Sequence, residues 1–199
     1  MKKWLIPLII IAVLAVGIYG WVKGFYNTTI GLEETTKQEW AKVESSYQRR
    51  SDLIGNLVKT VQGAADFERG TLKDVIEARS KASGINIDPT QITPEQLNEF
   101  NAAQSGLTSA LSRLLVVVER YPDLKANQNF LELQSQLEGT ENRINVARDR
   151  FNETVRPYNE HVRDFPNNLL ANIFDFEEMA YFEAEDGAEI VPEVNLEFD

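Results

Sequence analysis

Between residues 39 and 82 the chain has no proline, and its apolar residues recur at alternating steps of three and four: Trp40, Val43, Tyr47, Ile54, Leu57, Val61, Ala64, Val75, Ala78 and Ala82. Arg50, Glu68 and Thr71 fill the remaining places in that register. This is the stripe of a long amphipathic helix, and a stripe of that length stays out of water only when other helices cover it. Residues 25–82 therefore predict one helix or two collinear ones, about 80 Å long at 1.5 Å per residue. Gly63 and Gly70 are soft points, and a kink or break is expected between them, where the stripe falters at Glu68.

Upstream, residues 4–22 (WLIPLIIIAVLAVGIYGWV) carry no charge. A run of about 20 apolar residues matches the hydrocarbon thickness of a bilayer. Trp4, Tyr19 and Trp21 sit near its ends, where interfacial aromatics belong. A cleaved signal peptide is the alternative, with Lys2 and Lys3 as its basic start and Ala15-Val16-Gly17 as the cleavage site. The anchor is preferred, because the apolar run continues past that site. The lysines on either side lean slightly toward a bundle outside the cytoplasm.

Two further runs of helical period follow. Thr93-Pro94-Glu95-Gln96 is a helix start: Thr93 as N-cap, Pro94 at the first helical position, Gln96 closing a capping box. Leu97, Phe100, Gln104, Leu107, Leu111, Leu114, Val118 and Tyr121 form its heptad stripe, which Pro122 ends. After a corner at residues 123–127 comes the third stripe: Phe130, Leu133, Leu137, Thr140, Ile144, Ala147, Phe151, Thr154, Tyr158, His161 and Phe165. Pro157 should kink that helix or remove one of its hydrogen bonds. The short corner predicts an antiparallel hairpin of these two helices. Residues 168–174 read as a short amphipathic helix. The fold class expected is all-α: an N-terminal transmembrane helix (residues 1–23), a long antiparallel coiled-coil-like bundle of three or four helices (24–174), and an acidic extended tail (175–199).

The net charge is −11, and the tail carries most of it. From Asp164 onward there are eleven acids and no Lys or Arg, whereas residues 24–163 are nearly balanced. No basic face exists for phosphate, so nucleic acid is not an expected partner. The chain has no cysteine and one histidine, His161, which excludes thiolate chemistry and histidine-rich metal sites. Tyr158 stands three residues before that histidine, so the Glu-x-x-His element of di-iron bundles is missing. Nor is there a nucleophile elbow, a zinc-protease motif or a phosphate loop. No catalytic residue, cofactor or metal is expected.

The candidate residues are structural or interacting. Arg49-Arg50-Ser51-Asp52 lies within the long helix, and Arg50 takes a seam position. An ion-paired layer with Glu141 or Asp149 is the expected use, ahead of a docking patch. Asn56, Gln104, Asn142 and Asn145 suggest a polar layer that fixes register. His161 is expected to be a half-buried seam residue. Val194, Leu196 and Phe198 alternate with polar residues, which is strand spacing, and could add to the edge of a partner's sheet.

Five blocks in order carry a family resemblance. The first is Trp40-Ala41 with Arg49-Arg50-Ser51-Asp52-Leu53-Ile54-Gly55-Asn56-Leu57-Val58, and the second Tyr121-Pro122-Asp123-Leu124-Lys125-Ala126. The third is Leu137-Glu138-Gly139-Thr140-Glu141-Asn142-Arg143-Ile144 with Ala147-Arg148. The fourth is Tyr158-Asn159 with Phe165-Pro166, and the last Tyr181-Phe182-Glu183-Ala184. The chain resembles the LemA family of bacterial membrane proteins over nearly its whole length. Gly55 stands where that family usually has proline, which predicts a straighter helix. The resemblance implies one membrane helix in the bacterial cytoplasmic membrane, an antiparallel bundle and no established reaction. It also implies envelope partners of the membrane-metalloprotease or TPM-domain type. The function expected is a non-enzymatic scaffold or adaptor, anchored in the lipid bilayer through residues 4–22 and self-associating as a homo-oligomer because the long stripe exceeds what one hairpin covers. The alternative is a membrane-remodelling protein that coats lipid, which an acidic chain disfavours.

Overall fold

Between Pro7 and Pro89 no proline interrupts the chain. In the computed structural model, which describes residues 4–63 and 68–183, helix α1 accordingly runs unbroken from Leu5 to Gln62. Its 58 residues reach about 87 Å at 1.5 Å per residue. Pro7 falls in the first turn, where its missing N–H is no loss. The helix has two environments. Residues 4–20 are exposed throughout, and among the described residues α1 is the one helix long and apolar enough to cross a membrane. From Phe25 on, one position in every three or four is buried: Phe25, Thr29, Glu33, Thr36, Trp40, Val43, Tyr47, Arg50, Ile54, Leu57 and Val61. The polar members answer their own needs locally. Thr29 donates to the Phe25 carbonyl at 2.8 Å and Thr36 to the Leu32 carbonyl at 3.1 Å, while Glu33 pairs with Lys37 at 2.7 Å.

The helix expected to continue in line to residue 82 does not do so. α1 ends at Gln62 and α2 (Arg69–Ser83) folds back along it. Ser51 and Ser83 hydroxyls meet at 2.9 Å, and Arg79 Nε donates to the Ser51 carbonyl at 2.8 Å. The reversal brings Leu72 and Val75 onto Leu57 and Val61. A collinear α2 would have left both faces wet, so burial of apolar surface favours the turn.

Helix α3 (Pro94–Val118) starts with the full capping box. Gln96 N–H donates to Thr93 Oγ1 at 3.3 Å, and Thr93 N–H donates to Gln96 Oε1 at 3.1 Å. A short turn of helix, α4 (Pro122–Lys125), begins on Pro122 and buries Leu124. Helix α5 (Gln128–Arg163) is capped by Asn127, whose Oδ1 accepts from Phe130 N–H at 3.2 Å. Pro157 sits inside α5 without ending it. α6 (Asn167–Phe174) follows.

The architecture is all-α, a helical bundle with one N-terminal apolar helix. Its neighbours differ from the expected hairpin: α5 lies mainly along α1, and α3 mainly along α2. Pairings on α1 and α5 run in opposite order, Phe25 with His161, Trp40 with Phe151 and Arg50 with Glu141. The α1 stripe is thereby covered within one chain from Phe25 to Val61. Phe165, read as the last seam residue, is 82% exposed, because Asp164 already caps α5. Residues 175–183, read as the start of a solvated tail, lie against the bundle with Met179 and Phe182 buried. Val194, Leu196 and Phe198 lie outside the described residues.

The core forms two clusters. One, around Trp40, Tyr47, Phe100, Phe151, Tyr158 and Phe182, adjoins the apolar helix. The other, around Leu57, Val61, Val75, Leu107, Leu114 and Phe130, fills the far end. Within the first, burial pushes the Tyr158 phenol up to about 12, and the Glu33 and Glu177 carboxylates add to the rise. An unfolded tyrosine ionises near 10. The unfolded chain therefore releases this proton first, so the stability held by the neutral phenol is complete below about pH 10 and is lost as pH climbs through about 12. The melting temperature should fall with pH across this window more steeply in the native chain than in a Tyr158→Phe variant. Identical slopes would show that Tyr158 does not titrate late.

Candidate functional site

Arg50 leaves α1 between the two clusters, 4% exposed. Its Nη1 donates to both carboxylate oxygens of Glu141 on α5, at 3.0 and 3.3 Å. Its Nη2 donates to Gln104 Oε1 on α3. The guanidinium also lies over the Tyr47 ring, 5.0 Å from its centroid. Gln104 passes the connection on, its Nε2 donating to the Ala82 carbonyl at 3.4 Å near the end of α2. One planar fork thus ties four helices, a task that a lysine's point charge would do less well. Arg50 Nε finds no acceptor among the described residues.

Around this layer the other polar candidates sort themselves by exposure. Arg49, Asp52, Asn56, Asn142 and Asn145 all face outward. Asp52 accepts from Gln48 at 3.1 Å and stands 3.8 Å from Arg79. The expected layer of Asn56, Gln104, Asn142 and Asn145 reduces to Gln104, because the other three fall off the buried stripe. Gly55 leaves room for the Arg79 guanidinium: a Cβ there would stand 3.1 Å from Arg79 Cζ. Tyr121 precedes α4 and Pro122 opens it, with Asp123 exposed in its single turn. His161 stacks on Phe25 at 5.1 Å, near the apolar end of the rod.

A cavity of about 450 Å³ opens beside the layer, lined by Tyr47, Arg50, Asn98, Asn101, Ser105, Glu141, Asn145, Arg148 and Glu183 among others. Its two arginines face two glutamates. The Glu141 side chain is 45% exposed, so this is not a buried carboxylate cluster. His161 is absent from the lining. Among the described residues no group of three or more His, Cys, Asp or Glu is placed to hold a metal ion. The cavity offers hydrogen bonds to a polar solute.

The second arrangement is a strap. Asn152 and Asn159 stand seven residues apart on α5, hence on one face two turns apart. Asn159 Nδ2 donates to the Met179 carbonyl at 2.8 Å, and its Oδ1 accepts from the Met179 N–H at 2.8 Å. Asn152 treats Phe182 in the same way, at 2.8 and 2.9 Å. A side-chain amide carries both a donor and an acceptor, so each asparagine satisfies one residue of extended backbone completely. On the other edge Ala180 N–H donates to the Ile92 carbonyl at 2.9 Å. Between these anchors Phe182 stacks on Trp40 at 5.9 Å, meets Phe151 edge-on at 5.6 Å and lies under Arg148 at 4.6 Å. Asn159 was among the sequence candidates and Asn152 was not. The readable signal was an asparagine pair at heptad spacing on the flank of an apolar stripe.

Two outcomes are expected. Glu141→Ala strands the buried guanidinium with Gln104 alone and should cost about 1.5–3 kcal/mol. Arg50→Met removes the buried charge, keeps most of the volume and lets Glu141 return to water, so it should cost less. Denaturation midpoints rank the two, and the opposite order would contradict this account of the layer. In Asn159→Ala the Met179 amide should exchange about ten-fold faster or more, since both its backbone groups lose their partner, while amides in the middle of α3 keep their protection.

A model described as the LemA family matches residues 39–197. Magnetosome protein MamQ 2 of Paramagnetospirillum magneticum is 28% identical over 177 residues, covering 79% of this chain and 64% of that protein. Magnetosome protein MamQ of Magnetospirillum gryphiswaldense is 26% identical over 174 residues, with the same two shares. Protein LemA of Metamycoplasma hominis is 25% identical over 177 residues, covering 88% of this chain and 77% of that protein. The chain thus spans 64% of the length of these MamQ proteins. Arg50, Gln104, Glu141, Asn152, Asn159 and Phe182 all fall inside the region matched by the family model. From the middle of α1 through the strap, the match is continuous, and the chain belongs to the LemA family.

Proposed function

We propose that this protein is a non-enzymatic scaffold or adaptor of the bacterial envelope, anchored in the cytoplasmic membrane by residues 4–22, its bundle on the outer side. The observation that carries the reading is the continuity of α1: one helix is apolar and exposed over its first part and the spine of the bundle over the rest. A rod joined to its anchor without a hinge holds a fixed surface at a fixed distance from the bilayer. The opposite order of pairings along α1 and α5 supports an antiparallel, coiled-coil-like seam, the usual construction of such rods. The buried polar groups support it too, since they are spent on register and on the strap rather than aimed at a reacting atom.

The partner class proposed is an envelope membrane protein of the metalloprotease or TPM-domain type. A lysate-independent test is photo-crosslinking in native membranes from the exposed positions Arg49 and Asn142. Discrete protein adducts should form, disappear when the bundle is separated from residues 4–22, and weaken without residues 190–199. Adducts to lipid alone, or none from either position, would end the scaffold reading.

A further inference from the structure

We propose a second membrane contact: the outer face of α6 inserts into the headgroup layer of the bilayer that residues 4–22 span. The proposal rests on that span, and goes beyond it by making the bundle itself a lipid-binding surface.

The position comes first. Residues 4–22 carry no charge, and their length of about 28 Å nearly equals the hydrocarbon thickness of about 30 Å, which places the edge of the core near Val22. α6 is held at that level. Trp21 Nε1 donates to Asn167 Oδ1 at 3.4 Å, and Tyr26 meets the Phe174 ring at 5.3 Å. Residues 21 and 26 lie only about 8 Å apart along α1, comparable with a headgroup layer of about 5–8 Å on each side. A helix seated beside these residues is therefore in that layer and not above it.

The chemistry of the face comes second. Leu169 and Ile173 stand about one turn apart on α6 and are 52% and 69% exposed, and Phe165, just before the helix, is 82% exposed. On the opposite side, Leu170 and Ala171 belong to the first core cluster. From Phe165 to Phe174 the sequence has no charged residue. A soluble protein seldom leaves two branched aliphatics one turn apart on a short uncharged helix with a bare aromatic beside its start, whereas an interfacial helix does so as a rule. α6 has no basic residue, Arg163 before it stands 3.8 Å from Glu178, and Asp164, Asp175 and Glu177 flank it as well, so attraction to anionic lipid is not the driving force. Burial of apolar surface is, so the contact should be indifferent to lipid charge and to salt. Two attachment points, α1 and α6, then fix the tilt of the rod against the bilayer.

The absence of cysteine makes a clean experiment. Single nitroxide labels are placed on the full chain in phosphatidylcholine nanodiscs through Leu169→Cys, Ile173→Cys, Val116→Cys and Val13→Cys. Val116 is exposed at the far end of α3, and Val13 lies in the middle of the span. Labels at 169 and 173 should show a several-fold higher ratio of oxygen to nickel-chelate collisions than the label at 116. That ratio should stay below the one at 13 and should not change when an anionic lipid or salt is added. If 169 and 173 meet the nickel chelate as freely as 116 does while 13 stays protected, the second contact is wrong and the span stands. If 13 is also open to the chelate, the span fails and the proposal with it. A ratio at 169 and 173 that rises only with anionic lipid would likewise overturn the apolar contact argued here.

Discussion

A single stripe on α1, from Phe25 to Val61, has to be kept from water, and α5, α2 and α3 are held in place by that requirement. Trp40, Val43, Ile54, Leu57 and Val61 are all essentially inaccessible. At roughly 1.5–3 kcal/mol for each large apolar side chain removed from water, the stripe outweighs any other local preference in the chain. It explains why α2 doubles back instead of extending the helix, and why α5 runs the whole length of the bundle. It also explains why a polar residue on the stripe must bring its own partners with it. Thr29 and Thr36 use carbonyls one turn back. Arg50 cannot, and the construction around it is correspondingly larger.

Apolar seams slide at little cost, because one leucine contact resembles the next. A buried guanidinium resembles nothing else. If α5 moved by one turn along α1, Glu141 would leave Arg50 and a charge would be stranded between two apolar clusters. Gln104 imposes the same condition on α3, and through the Ala82 carbonyl on α2. The layer contributes little to net stability, since desolvating an arginine offsets most of what its pairing returns. Its effect is on the alternatives, which it makes worse. The same arithmetic applies where Arg79 reaches across Gly55 to Ser51, a contact that pins α2 to α1 from outside.

Much of this was legible before any coordinates. The helical period gave the α1, α3 and α5 faces, the capping box gave the start of α3 to the residue, and the uncharged run gave the anchor. Arg50 could be picked out because a charge on an otherwise apolar seam must find an opposite charge. What could not be read depends on contacts distant in sequence. The reversal of α2 against α1 shows only as a weak spot in the stripe, and a weak spot fits a kink as well as a turn. The hairpin expected of α3 and α5 follows from a short corner, yet a corner fixes which helices are consecutive, not which pack most closely. The strap was the largest omission. Glu177, Glu178 and Glu183 make that stretch look like solvated tail, and the two residues that matter, Met179 and Phe182, are too few to show a period.

The strap covers Trp40 with extended backbone that lies between α5 and the connector to α3. Extended backbone has N–H and C=O groups that no helix satisfies, and each one buried without a partner costs about 1–3 kcal/mol. Asn152 and Asn159 remove that cost by presenting side-chain amides at the spacing the segment needs, and Ile92 does so from the other side. Phe182 can then close over Trp40 and Phe151. The described chain ends at Glu183, whose carbonyl accepts from Arg148 at 3.0 Å and which lines the cavity beside Arg50. The strap therefore ends at the cavity beside the layer, held there by Arg148.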